Sequence, residues 1–176
     1  MTDQKKVQLM IWELENGFQE LIHTLEGISK EEAQWKPSYH SRTLEIIKQW
    51  NIKGDEWILS QNLDPISTIE YKVIHLAQCK QMYNEYAFKE GILKWSDLES
   101  PEWPNSLVYL NQTQIELVDS LQNLIDDQLD TLVPTNWGDS WTIKQIISTM
   151  IHHDAYHFGQ ICTIRSLYKI MNRNGL

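Results

Sequence analysis

The sequence predicts an all-α fold, a bundle of helices packed along a shared core. Apolar residues recur at steps of three and four along most of the 176-residue chain, which is the spacing of one helix face. Capping signals precede several of these segments, and no segment alternates apolar and polar residues strictly enough to indicate a β-strand. A chain of this length is expected to form one domain, here 1–176.

The first predicted helix spans 5–28 and carries a continuous apolar seam. A short turn follows it, because Ser29 and Glu32 have the spacing of a capping box and Pro37 disfavours a helix at the residue before it. A second long helix is predicted over 42–61. The seam of the first helix consists of Val7, Ile11, Leu14, Phe18, Leu21, Leu25 and Ile28.

The next predicted helix spans about 68–89. Ser67 and Glu70 have the spacing of a capping box at its start. One stripe of this helix carries His75 and, one turn later, Cys79, so both lie at the edge of an apolar face.

Two further helices complete the predicted bundle. A long irregular segment, 90–105, contains two tryptophans and is expected to be functional or packed over a core. The helix after it spans about 105–126, with leucines along one side. The last helix spans about 141–171 and is expected to be capped by Asp139 or Ser140.

Composition and charge exclude several classes of partner. Lys and Arg number 15 and Asp and Glu 24, so the formal net charge is −9. Nucleic acid and anionic membranes bind basic surfaces, and we therefore expect neither as a partner. No apolar run reaches the length of a transmembrane helix, and the charged N-terminal pattern is not that of a signal peptide. Two cysteines far apart in sequence, Cys79 and Cys162, suggest free thiols in a cytoplasmic protein.

Two histidines of the last helix are spaced as metal ligands can be. His153 and His157 are four residues apart, which places their side chains about 6 Å apart on one face. That face continues through apolar residues, so the rings should point inward, where a metal ion or hydrogen bonds must satisfy them. Successive side chains on a helix point about 100° apart, so His152 should leave the face of His153 and lie at the surface. The candidates for a third ligand are His23, His40, His75 and His152.

The segment HHDAYHFGQI resembles the last helix of the DinB-like (YfiT-like) family of metal-dependent helical bundles. Upstream, 68–77 resembles the family's second motif, in which a Ser/Thr-Ile start is followed seven residues later by histidine, here His75, and then by leucine. The last-helix pattern of histidine, three residues, histidine, a small residue and Gln-Ile maps onto His153, His157, Gly159, Gln160 and Ile161.

This resemblance implies a four-helix bundle in which the helix over 42–61 is an insertion after the first helix. It implies a metal site of His75, His153 and His157, open to water on one side, with zinc or nickel as the ion. The implied function is that of a metal-dependent hydrolase or thiol transferase that activates water or a thiol and acts on a small molecule, in stress or detoxification. No catalytic side chain is assigned.

A second register is open for the third histidine. The start of 42–61, TLEI, also resembles the second motif, and there Gln49 or Trp50 occupies the histidine position. We prefer His75 because the match over 68–77 is unbroken.

The surroundings of the site allow further alternatives. Cys79 could be a fourth ligand or a small buried apolar side chain. Gly159 is expected to let another helix approach closely. The chain could instead be a noncatalytic binding bundle without a working metal site, or a homodimer through 42–61. Periodicity places Asp154, Tyr156 and Gln160 off the His153 face. Tyr83, Glu85 or Tyr86 are the better candidates to orient the rings or to form the wall of the site, and the alternative for them is a packing or surface position.

Overall fold

The computed structural model describes residues 3–36 and 67–173, and within these ranges it is predominantly helical. The long helices α1, α3, α4 and α5 pack on one another as a bundle, which confirms the predicted all-α fold. The predicted helix over 42–61, the alternative register within it and His40 lie outside the described residues. The elements are α1 (Lys5–Leu25), α2 (Lys30–Gln34), α3 (Ile69–Phe88), α4 (Asn105–Gln122), β1 (Leu132–Pro134), β2 (Ser140–Thr142) and α5 (Ile143–Arg173), with 3-10 turns at Trp95–Asp97 and Asp126–Asp130.

Six of the seven residues of the predicted seam form the face that α1 buries, and the seventh, Ile28, is buried after the helix has ended at Leu25, three residues earlier than predicted. Gly27 turns the chain after α1 with a φ of 69°, a conformation that glycine adopts without strain. The capping prediction for Ser29 is confirmed, because its side chain accepts the backbone N–H of Glu32 at 3.1 Å. Arg165 then joins this corner to α5 by donating to the Glu26 carbonyl at 2.8 Å.

Two predicted helix caps are wrong by one to three residues. Thr68, and not Ser67, caps α3, because Thr68 directly precedes the first helical residue and its Oγ1 accepts the backbone N–H of Tyr71 at 3.1 Å. At α5 the capping residue is Thr142: its backbone N–H donates to Gln145 Oε1 at 2.9 Å, and its Oγ1 receives the Gln145 N–H at 3.4 Å. Asp139 and Ser140 do not cap α5, because they belong to a hairpin.

A small antiparallel hairpin stands where the sequence indicates no strand. β1 pairs with β2 in the register Leu132↔Thr142, Val133↔Trp141 and Pro134↔Ser140. Each strand has three residues, which is too short for an alternating pattern to emerge in the sequence. Gly138, with a φ of 95°, lies in the turn between the strands.

The core consists of two apolar clusters with polar residues between them along α5. Met150 belongs to the cluster that includes Val7, Ile11 and Leu117, and Ile161 belongs to the cluster that includes Phe18 and Leu76. The residues of α5 between Met150 and Ile161 include both paired histidines. This arrangement places the histidines at mid-bundle.

None of the helices in the described ranges is both long enough and apolar enough to cross a membrane. Whether 1–176 forms one domain stays a prediction.

Candidate metal centre

Three histidines from two helices converge on one point between α3 and α5. His75 Nε2 lies 3.1 Å from His153 Nε2, and His157 Nε2 lies 3.1 Å from the same atom. One ligand atom from each ring can be chosen so that all three lie within 4.8 Å of one another. The structure therefore brings together the three residues that the sequence analysis selected. Their assignment as metal ligands stays a prediction.

The environment keeps all three rings neutral. Burial is the main cause in each case, since the charged form of an imidazole is penalised away from water. The pKa of His153 is lowered to about 3, first by burial and then by His157, His75 and Lys80. Burial lowers the pKa of His157 to about 4, against an opposing contribution from its hydrogen bond to Gln160. Burial and the charge of Lys72 lower the pKa of His75 as well.

The donor set fits a divalent cation. In the tautomer with its proton on Nδ1, each neutral ring directs an Nε2 lone pair at the same point, and three such lone pairs are a donor set for one cation; a ring with its proton on Nε2 would instead donate a hydrogen bond there. The lowered pKa values disfavour extra protons in that position. In addition, His153 Nδ1 is buried without a hydrogen-bond partner in the described part of the chain. Neutral imidazole is a ligand for zinc, nickel, copper and iron.

One of the rings is held by a polar side chain that the sequence analysis rejected. Gln160 Oε1 lies 2.8 Å from His157 Nδ1 and accepts the Lys72 Nζ–H at 2.7 Å. The periodicity argument failed because Gln160 lies seven residues after His153 and three after His157, and both spacings fall on the same helix face. That spacing is the signal that could have identified Gln160. Lys72 lies three residues before His75, so the same spacing places it beside the His75 face, but its contact with Gln160 leaves no signal in the sequence.

A buried ion pair lies beside the histidines. Lys80 Nζ donates to Asp154 Oδ2, and the two side chains are 0% and 7% exposed. Asp154 immediately follows His153, so the pair and the metal centre share a turn of α5. The ion pair with Lys80 agrees with the prediction that Asp154 lies off the His153 face.

Cys79 packs close to His75 but outside the group of three. Its Sγ lies 3.7 Å from His75 Nε2 and 3.9 Å from Nδ1, and the side chain is 5% exposed. Burial, followed by the Asp154 carboxylate, raises the pKa of the thiol to about 12. These features are those of a small buried apolar residue, and the four-ligand alternative has no support from the geometry.

The expected wall residues on α3 have other partners. Tyr83 packs edge-to-face on Trp137, with ring centroids 5.8 Å apart. Glu85 accepts the backbone N–H of Ile92, and Tyr86 donates to the Leu93 carbonyl. None of these contacts reaches a histidine of the group, whereas Gln160 holds His157; that Tyr83, Glu85 or Tyr86 forms the wall of the site stays a prediction.

Two more expectations concern the other candidate histidines and Gly159. His152 is exposed, as predicted, and His23 lies at the surface beside Glu26, so neither reaches the centre. Gly159 is also exposed, and a Cβ placed there would contact nothing within 4 Å. Among the described helices none approaches Gly159 closely, so the predicted close approach is not found in that part of the chain.

Comparisons with known proteins agree with this architecture. The family model of the DinB superfamily matches residues 13–161. A conserved protein from Enterococcus faecalis with a known crystal structure superposes with a TM-score of 0.61 and covers 95% of this chain and 97% of its own. Its sequence identity is 14%, so this likeness shows the fold alone. No curated protein matches the chain significantly.

Proposed function

We propose that His75, His153 and His157 hold a divalent metal ion. The premise is that the chain belongs to the DinB superfamily, whose family model matches residues 13–161. The observation that carries the proposal is the convergence of three neutral Nε2 atoms, two pairs of them 3.1 Å apart, at mid-bundle. Zinc and nickel are the proposed ions, since both accept imidazole nitrogen.

The proposed activity is that of a hydrolase or thiol transferase acting on a small molecule in the cytoplasm. A divalent ion bound by three neutral ligands supplies a Lewis acid that lowers the pKa of water or of a thiol at its remaining positions. The chain's own contribution is to keep the three rings neutral, through burial, and to hold His157 by the hydrogen bond to Gln160. Cys79 is not proposed as a nucleophile, because burial keeps its thiol protonated.

Metal analysis of the purified protein tests this proposal. Protein grown with added zinc and nickel should carry about one ion per chain, whereas a variant with alanine at all three histidine positions should carry a negligible amount. His152→Ala is the matched control, because it removes an exposed histidine from the same helix and should leave the metal content unchanged. Equal and negligible metal in the wild type and the triple variant would reject the site.

The enzymatic part has a separate test. Ester hydrolysis and the transfer of a low-molecular-weight thiol to an electrophile should be measured with metal-loaded protein and with the triple alanine variant. Turnover that depends on the three histidines supports the enzyme. Tight metal binding without turnover in either assay favours the noncatalytic bundle. A homodimer through 42–61 stays a prediction, to be tested by light scattering at high protein concentration.

A further inference from the structure

Two side chains behind His157 form a short chain of hydrogen bonds that leads away from the centre. Lys72 Nζ, from α3, lies 2.7 Å from Gln160 Oε1, and the same oxygen lies 2.8 Å from His157 Nδ1. Gln160 belongs to α5, so this chain of contacts also bridges the two helices that supply the histidines. Both contacts are within ordinary hydrogen-bond distance.

The chemistry of the three groups determines where each proton lies. An ammonium group has donors and no acceptor, so the amide atom that faces Lys72 must be the oxygen of Gln160. An amide oxygen only accepts, so His157 Nδ1 must carry the proton that points at it. A neutral imidazole has one N–H, which leaves a lone pair on His157 Nε2, the atom that faces the other two rings.

We propose that Lys72 and Gln160 are positioning residues that set the tautomer of His157. Lys72 orients the Gln160 amide, and Gln160 holds the ring with its Nε2 unprotonated and directed at the centre. The importance of this tautomer for metal binding rests on the proposed function, whereas the tautomer itself does not.

The burial and charge of Lys72 fit this role better than a surface role. The side chain is 5% exposed, and among the described residues its polar contact is Gln160 alone, with no carboxylate within ion-pair distance. An isolated buried ammonium is costly, so a lysine retained there is expected to perform a specific task. A neutral amide backed by an ammonium also makes His157 less basic than a carboxylate partner would.

Histidine nitrogen NMR of the metal-free protein tests the proposal directly. In the wild type at pH 7.5, His157 should be found with the proton on Nδ1. Lys72→Met frees the amide to rotate, and Gln160→Leu removes the acceptor, so both should raise the Nε2–H population of His157. Gln160→Glu keeps an acceptor and should preserve the Nδ1–H form. Lys89→Met, which removes an exposed lysine just after α3, should change nothing.

Zinc affinity, measured by competition with a chelator, gives the second readout. Lys72→Met and Gln160→Leu should weaken binding by about 10- to 100-fold, the usual effect of losing such a partner, while Gln160→Glu retains it. An Nε2–H tautomer in the wild type, or tautomers unchanged in both disruptive variants, would overturn the proposal. Metal binding would then stand by itself. Conversely, the expected tautomers in a protein that binds no metal would reject only the proposed function.

Discussion

The α3–α5 interface holds two polar clusters, and each contains a buried lysine with a different kind of partner. In one, Lys80 is paired with the carboxylate of Asp154 and both are buried. In the other, Lys72 lies two turns earlier on α3, and within the described ranges its polar partner is an amide oxygen alone, next to three neutral imidazoles. The first cluster neutralises its own charge, whereas the second, in the described part of the chain, keeps an ammonium without a counter-charge beside three neutral rings that offer nitrogen ligands. This contrast separates a structural contact from a candidate binding site on the same pair of helices.

Breaking the ion pair should have the largest effect on stability. Asp154→Ala leaves the Lys80 ammonium buried without a counter-charge, and such a loss costs about 3–5 kcal/mol of the free energy of unfolding. Lys72→Met should cost less than about 1.5 kcal/mol, because it removes one hydrogen bond together with the charge that needed it. Urea denaturation of both variants measures the difference.

The double variant Lys80→Met with Asp154→Leu is the control for this experiment. Replacing a buried pair by apolar residues of similar volume is often neutral or stabilising, so this variant should recover most of the stability that Asp154→Ala loses. If Asp154→Ala and Lys72→Met were equally mild, the contrast between the two clusters would have no energetic basis.

Metal should stabilise the protein through the histidine cluster alone. Free zinc at about one hundred times its dissociation constant adds about 2.7 kcal/mol to the free energy of unfolding by mass action. The thermal midpoint of the wild type should rise with zinc and fall with chelator, and the triple alanine variant should respond to neither. A zinc-dependent rise of the same size in the triple variant would show that the ion binds elsewhere.

Acid should destabilise the metal-free protein through the same cluster. The pKa is about 3 for His153 and about 4 for His157 in the folded protein, against about 6.5 in the unfolded chain. Between pH 6.5 and about 4 the unfolded chain therefore binds protons that the native protein does not. The free energy of unfolding should fall as the pH falls through this window and should not depend on these groups above it.

The matched measurement is the difference in pH dependence between the wild type and the triple alanine variant, both free of metal. Denaturation midpoints at pH 7.5, 6.0 and 5.0 should fall more steeply for the wild type. Equal slopes would mean that the rings become protonated freely in the folded state, and the cluster would then be open to water rather than shielded from it.

Sequence periodicity predicted the features of this molecule that depend on a single helix. The seam of α1 and the shared face of His153 and His157 follow from spacing alone. The convergence of His75 required a second helix in the right register, and a family motif supplied it. The contacts of Lys72 with Gln160 and of Lys80 with Asp154 could not be predicted, because partners 88 and 74 residues apart leave no local pattern. The hairpin was missed because its strands are too short.

Cys79 lies between the two clusters in sequence, and its substitution should have the smallest effect of all. It precedes Lys80, and its Sγ is 3.7 Å from His75 Nε2. If the thiol only fills space, Cys79→Ala should cost about 1 kcal/mol of stability, the typical effect of a point substitution, and leave one metal ion per chain. Unfolding measurements and metal analysis of the same preparation check both parts. A variant that folds normally and loses its metal would make the sulfur a fourth ligand, and the histidine cluster would then be closed to substrate.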